Sequence, residues 1–134
     1  MKMKHMSSEL IRELNKRHFF FVVSDLAFGK VYSEIAFGPK PSLSIMLKNL
    51  GFLLKHAPFA GKKAAEYFKK AIAGSEKISS LSLQGQACLD LGLLYKCRRQ
   101  KQRAKECISQ AVELFNKGDA RTFLKQAQQE LAQL

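Results

Sequence analysis

With 134 residues the chain has the length of one domain, long enough to bury a real core. Its 46% hydrophobic and 25% charged residues are those of a folded globular protein, and eight glycines with three prolines are too few for a turn-rich sandwich or a disordered chain. The formal charge of +12 is the outlier. It points to nucleic acid, an anionic membrane face or an acidic protein partner, against the plain alternative of a lysine-rich solvated surface.

Residues 1–6, "MKMKHM", read as residue of a cloning junction and are set aside. The segment from 8 to 37 contains "HFFFVV", compatible either with one long helix or with a helix pair broken near Asn15; the ten phenylalanines concentrate in this half, which is therefore expected to bury bulky surface. From 42 to 56, "LKNLGFLLK" places Leu47, Leu50, Gly51 and Leu54 at helical spacing, and Pro58 is expected to end that helix. After a turn at "HAPFAGKK", the run "AAEYFKKAI" carries Ala64, Phe68 and Ala71 on one stripe. A helix over 80–97 gathers Cys88, Leu91, Leu94 and Tyr95 on one face, and another over 101–117 carries Ala104, Ile108, Ala111 and Phe115. Gly118 offers a left-handed cap there, and a last helix over 120–133 turns Phe123, Leu124, Ala127 and Leu131 inward.

Gly92 lies in the most apolar part of its helix, where a glycine costs about 1 kcal/mol relative to alanine. Two helices joined by a turn of a few residues must lie antiparallel. Gly92 facing Ala104 and Ala111 lets the two axes approach closely, which accounts for the missing side chain.

These residues resemble the tetratricopeptide repeat, a helix–turn–helix unit with the pattern W-x2-L-G-x2-Y followed by A-x3-F. Here it reads Cys88-x2-Leu91-Gly92-x2-Tyr95, then Ala104-x3-Ile108-x2-Ala111. Ala64, Phe68 and Ala71 repeat the second-helix spacing forty residues earlier, and Asp25-x2-Phe28-Gly29-x2-Tyr32 echoes the first helix. That echo is either a degenerate half-repeat or the start of a longer unit into which the 42–56 helix is inserted. More loosely, "NLGFLLKHAPFA" with "LSLQGQACLDLGLLYK" is similar to the C-terminal helical region of bacterial signalling proteins that carry class III cyclase and ATPase modules. The resemblance implies an all-α fold of antiparallel helix-turn-helix repeats stacked as a short right-handed solenoid. It divides the single domain 1–134 into an N-terminal half-repeat (7–40), a first repeat (42–75), a second repeat (80–117) and a capping helix (120–133).

Nothing in the sequence supplies an active site. His5, His18 and His56 stand apart, with no HExxH, no GxxxxGK[ST] loop and no paired carboxylates. Cys88, Cys97 and Cys107 are odd in number and lack CxxC spacing, which argues against a disulfide framework or a zinc site; only Cys97, beside Arg98 and Arg99, has the neighbours of a reactive thiol. No catalytic residue, metal or cofactor is expected, nor is an enzyme. The chain has no apolar run near the roughly 18 residues of a membrane span and no secretory pattern, so a cytoplasmic protein off the membrane is expected.

What the resemblance implies is recognition of a protein or peptide, acidic in character, on the concave face formed by the first helix of each repeat. That face is expected to comprise Lys48, Asn49, Phe52 and Lys55 from the first repeat, with Gln86, Leu89, Leu93 and Lys96 from the second and Asp90 at its margin. Lys48 and Asn49 match part of the clamp with which some members hold a C-terminal carboxylate, whereas Phe52 and Leu89 depart from it. Binding of nucleic acid by the basic clusters Lys62, Lys63, Lys69, Lys70 and Lys96–Lys105 is the rival reading. Self-association is a third, with "HFFFVV" as the expected homodimer surface.

Overall fold

A computed structural model describes residues 2–37 and 50–134, with side chains over 8–37 and 59–134. These residues form five helices and no strand: α1 (Lys2–Phe37), α2 (Leu50–Lys77), α3 (Leu81–Cys97), α4 (Lys101–Lys117) and α5 (Arg121–Ala132). The last three agree with the spacing-based expectation to within a residue at either end. Of the two arrangements compatible with 8–37 the single long helix is the one found, whereas the helix end expected at Pro58 is not. The segment from 8 to 37 lies in one unbroken helix with no break near Asn15, and α2 runs straight through Pro58.

An interior proline removes one backbone hydrogen bond and costs about 3 kcal/mol. Tertiary contact outweighs that local preference here. Ala60 is fully buried just beyond the proline, and a Cβ on Gly61 would lie 3.5 Å from the Phe37 ring of α1. The expected turn at "HAPFAGKK" is therefore absent, and the helix paired with the Ala64–Phe68–Ala71 stripe is α1.

That pairing repeats in α3 and α4. In each pair a glycine on the first helix receives a large side chain from the second. A Cβ at Gly29 would lie 2.5 Å from the Phe68 ring, and one at Gly92 would lie 2.5 Å from Ile108 Cγ1. The sequence positions correspond: Phe28-Gly29-x2-Tyr32 opposes Ala64-x3-Phe68-x2-Ala71, as Leu91-Gly92-x2-Tyr95 opposes Ala104-x3-Ile108-x2-Ala111. Both pairs are antiparallel, since Phe37 meets Gly61, Gly29 meets Phe68 and Val22 meets Gly74 in reverse order.

Two turns further along, the pairs exchange sizes. In the first, Val22 of α1 fills the space at Gly74 of α2, where a Cβ would fall 2.6 Å from Val22 Cγ2. In the second, the position matching Val22 is Gly85, and Phe115 of α4 fills the space from the other side, its ring 2.6 Å from where a Cβ would stand. Large-against-small packing recurs with the glycine on the opposite helix, Phe115 standing one residue past the position that matches Gly74, as close packing of the two axes requires.

The two pairs join through two buried clusters. Ala64, Phe68 and Ala71 of α2 pack with Leu91, Leu94 and Tyr95 of α3, while Cys88, Leu89, Ile108 and Phe115 form a second cluster closed by Ala127 of α5. Burying each large member contributes about 1.5–3 kcal/mol. Phe123 does not turn inward as expected: it is more than one-third exposed, its ring stacked on Phe115 at a centroid distance of 5.5 Å.

Helices α2 to α5 are linked by three turns of one design. Ser80 N–H donates to Ser75 O, Gln100 N–H to Tyr95 O and Ala120 N–H to Phe115 O, at 2.9–3.0 Å. Each turn holds one residue in the left-handed region: Ser79 (φ 54°), Arg99 (φ 59°) and Asp119 (φ 54°). The expectation for Gly118 is corrected accordingly: its φ is −84°, and the left-handed residue is its neighbour Asp119. Gly118 serves space instead, since a Cβ there would lie 3.3 Å from Leu81 Cβ.

Two stability changes of opposite sign follow. Arg99→Gly relieves the strain of a left-handed side chain and should stabilise the protein by about 1 kcal/mol. Gly92→Ala should destabilise it by about 1–3 kcal/mol through overpacking against Ile108, with part of the loss recovered in Gly92→Ala/Ile108→Val. Urea denaturation of the four proteins checks both.

A candidate partner-binding groove between α1 and α3

Because α1 is the first helix of the first pair, its face lies beside that of α3. Between them runs a groove of about 350 Å³, lined by Lys30, Ser33, Glu34 and Phe37 of α1, Phe68 of α2, and Asp90, Leu93 and Cys97 of α3. Its chemistry is mixed: two aromatic rings and a leucine give apolar contact, while Lys30, Glu34 and Asp90 supply both signs of charge.

Asp90 is the most perturbed of these groups. Its side chain is only 21% exposed, and its nearest cation is Lys30 Nζ at 3.8 Å from Oδ2, beyond hydrogen-bonding distance. Oδ2 is shut off from solvent and accepts no hydrogen bond. Burial therefore raises the carboxyl to about 6, with the Lys30 charge opposing that shift only in part.

The expected binding residues divide into four groups. Asp90 and Leu93 line the groove. Leu89 does not contribute to an open face: it is buried with Cys88 in the cluster that Ala127 of α5 closes. Lys96 Nζ is held by Glu130 Oε2 at 3.2 Å, tying α3 to α5, and Gln86 is half-buried on the same helix. Lys48 and Asn49 lie outside the described residues; Phe52 and Lys55 are in the first turns of α2, before its described side chains begin.

Sequence reasoning missed the entire α1 wall. The signal was present, since the Phe28-Gly29-x2-Tyr32 echo places Lys30 and Glu34 where Leu93 and Cys97 stand in α3.

The cysteines divide by burial. Cys88 is buried, which with Cys107 and Glu76 nearby pushes its thiol up to about 12, and burial raises Cys107 as well. Both read as small hydrophobic fillers. Cys97 is exposed at the groove's edge. Among the described residues no cluster of His, Cys, Asp and Glu has the makings of a metal site, and no helix is long and apolar enough to cross a membrane.

The two basic clusters lie elsewhere. Lys62, Lys63, Lys69 and Lys70 on α2, and Arg98, Arg99, Lys101, Arg103 and Lys105 on the α3–α4 turn and α4, are exposed beside the buried stripes of their helices. The first cluster meets aromatics that the sequence had not aligned with it. Tyr32 and Tyr67 stack at 5.6 Å, with Lys63 Nζ over the Tyr32 ring at 5.4 Å and Lys70 Nζ over Tyr67 at 5.2 Å.

The perturbed carboxyl sets a pH dependence. In an unfolded chain Asp90 titrates near 4, so between about 4 and 6 the folded state holds the extra proton and stability falls as pH rises. Asp90→Asn should remove that decline and leave the variant more stable than the parent by about 1–2 kcal/mol above pH 7. Urea midpoints at pH 4.5 and 7.5 check the sign.

Comparison of the chain with protein-family models, with curated proteins and with solved structures returned no match.

Proposed function

We propose that this protein is a tetratricopeptide-like scaffold that binds a peptide or a partner module in the groove between α1 and α3. The observation that carries this reading is the equivalence of the two helix pairs, each closed by a glycine against a large side chain at corresponding positions. Stacked equivalent pairs bring their first helices side by side, and the surface so formed is the one that helical-repeat proteins use for recognition. The lining supports a peptide with both apolar and charged side chains: Phe37 and Leu93 offer apolar contact, and Lys30 and Asp90 offer opposite charges. On this reading the chain has no catalytic role. It works in the cytoplasm, as a signalling adaptor or as the scaffold part of a larger signalling protein.

A second reading, nucleic-acid binding, is favoured by one specific feature: Lys63 and Lys70 flank a stacked tyrosine pair. Both tyrosine rings already stack on each other, which leaves less aromatic face for bases than a single-strand platform needs.

The two readings separate by photo-cross-linking. A photoreactive residue at Leu93 reports on the groove, and one at Lys105 reports on the basic surface of α4. In nuclease-treated lysate the scaffold reading expects a discrete protein adduct at Leu93, lost when Lys30→Glu is added, and none at Lys105. Adducts confined to Lys105, absent after nuclease treatment and falling steeply with salt, would instead establish the nucleic-acid reading.

A further inference from the structure

The phenylalanines of α1 leave much of their surface bare, although Phe28 packs on Tyr67 of α2 at a centroid distance of 5.5 Å. Of "HFFFVV" only Val22 is buried, while Phe20 and Phe21 are 69% and 65% exposed. Leu10, Leu14, Phe28 and Val31 of α1 are also exposed. Leu10, Leu14, Arg17, Phe21, Ser24, Phe28 and Val31 follow one another at alternating steps of four and three, the spacing of a coiled-coil seam. The seam lies on the side of α1 away from Lys30, Ser33 and Phe37, so covering it leaves the groove open.

We infer that a second copy of this chain covers the seam, with the two α1 helices antiparallel and the twofold axis at Phe21. Area and charge select this occupant. The exposed apolar side chains of the seam amount to on the order of 500–600 Å² per chain, at the upper limit of what a monomer leaves bare. With a polar rim they approach the ~800 Å² per partner of a stable interface. Arg17 and Asp25 form no ion pair within 4 Å among the described residues, although the Lys70 charge of α2 acts on Asp25 from further off. They stand four residues to either side of Phe21, and Leu14 and Phe28 stand seven to either side. An antiparallel pairing about Phe21 therefore sets Leu14 against the partner's Phe28 and Arg17 against the partner's Asp25, twice by symmetry. A parallel pairing would set Arg17 against its own copy inside the seam, where like charges repel.

Sedimentation equilibrium of the full chain between about 1 and 100 µM, with helicity and melting temperature recorded for every variant, tests this. The parent should be a dimer, and Phe21→Glu a folded monomer. Arg17→Asp and Asp25→Arg should each weaken the dimer at least about tenfold, and the double exchange should restore it to within about threefold of the parent. Should Phe21→Glu fail to fold, the charge exchange decides alone. A parent that is monomeric throughout, or a dimer that the two single exchanges leave unchanged, overturns the inference.

Discussion

The structure depends on glycine facing a large side chain across each helix pair. Gly29 against Phe68 and Gly92 against Ile108 let two helix axes come closer than two side chains would allow. A glycine in a helix interior is locally unfavourable by about 1 kcal/mol, so its presence at two corresponding positions marks a tertiary demand. The demand is for space, since Gly74 and Gly85 likewise each face a large side chain, Val22 and Phe115 respectively. What is kept between the two pairs is a glycine set against a large side chain.

From that contact the rest of the arrangement follows. It fixes α1 as the partner of α2 even though the twelve residues 38–49 and the first turns of α2 intervene between them in the chain. With α1 in the first position of its pair, its C-terminal half stands beside α3 and supplies one wall of the groove. Asp90 is then caught between burial and a cation at 3.8 Å, and its carboxyl rises to about 6. The N-terminal half of α1 runs past the α2–α3 turn, where Ile11, Asn15 and Phe19 meet Ile78 and Ser80 around a hollow of about 720 Å³. Little beyond that turn covers its apolar residues. One long helix thus serves the core with one face, the groove with a second and an open seam with a third.

How much of this the sequence disclosed depended on how local the signal was. The helices from 81 to 132 were legible because their apolar stripes, turns and lengths lie within short windows. Ala104, Ile108, Ala111 and Phe115 were expected inside and are all fully buried. The pairing of α1 with α2 was not legible in the same way, because two first-helix candidates preceded the Ala64 stripe and only one could use it. Pro58 argued locally for the nearer candidate, and the packing of Gly61 against Phe37 and Ala36 of α1 overrode it. The same choice set four residues of the expected binding face on 48–55, where the described side chains do not reach. Leu89 was misplaced for a different reason. Helical spacing puts it on the face of α3 that a following helix covers, and the covering contact with α5 is tertiary.

The central claim is that α1 and α2 are closed by the same contact as α3 and α4, and a double-mutant cycle on Gly29→Ala and Phe68→Leu tests it most directly. Gly29→Ala alone should destabilise the chain by about 1–3 kcal/mol, and Phe68→Leu alone by a similar amount. In direct contact the smaller leucine makes room for the new methyl group, so the double variant should be more stable than the sum of the two losses by about 1 kcal/mol or more. Strictly additive losses, or a Gly29→Ala variant as stable as the parent, would contradict the account, because α1 would then not be seated on α2 through this pair.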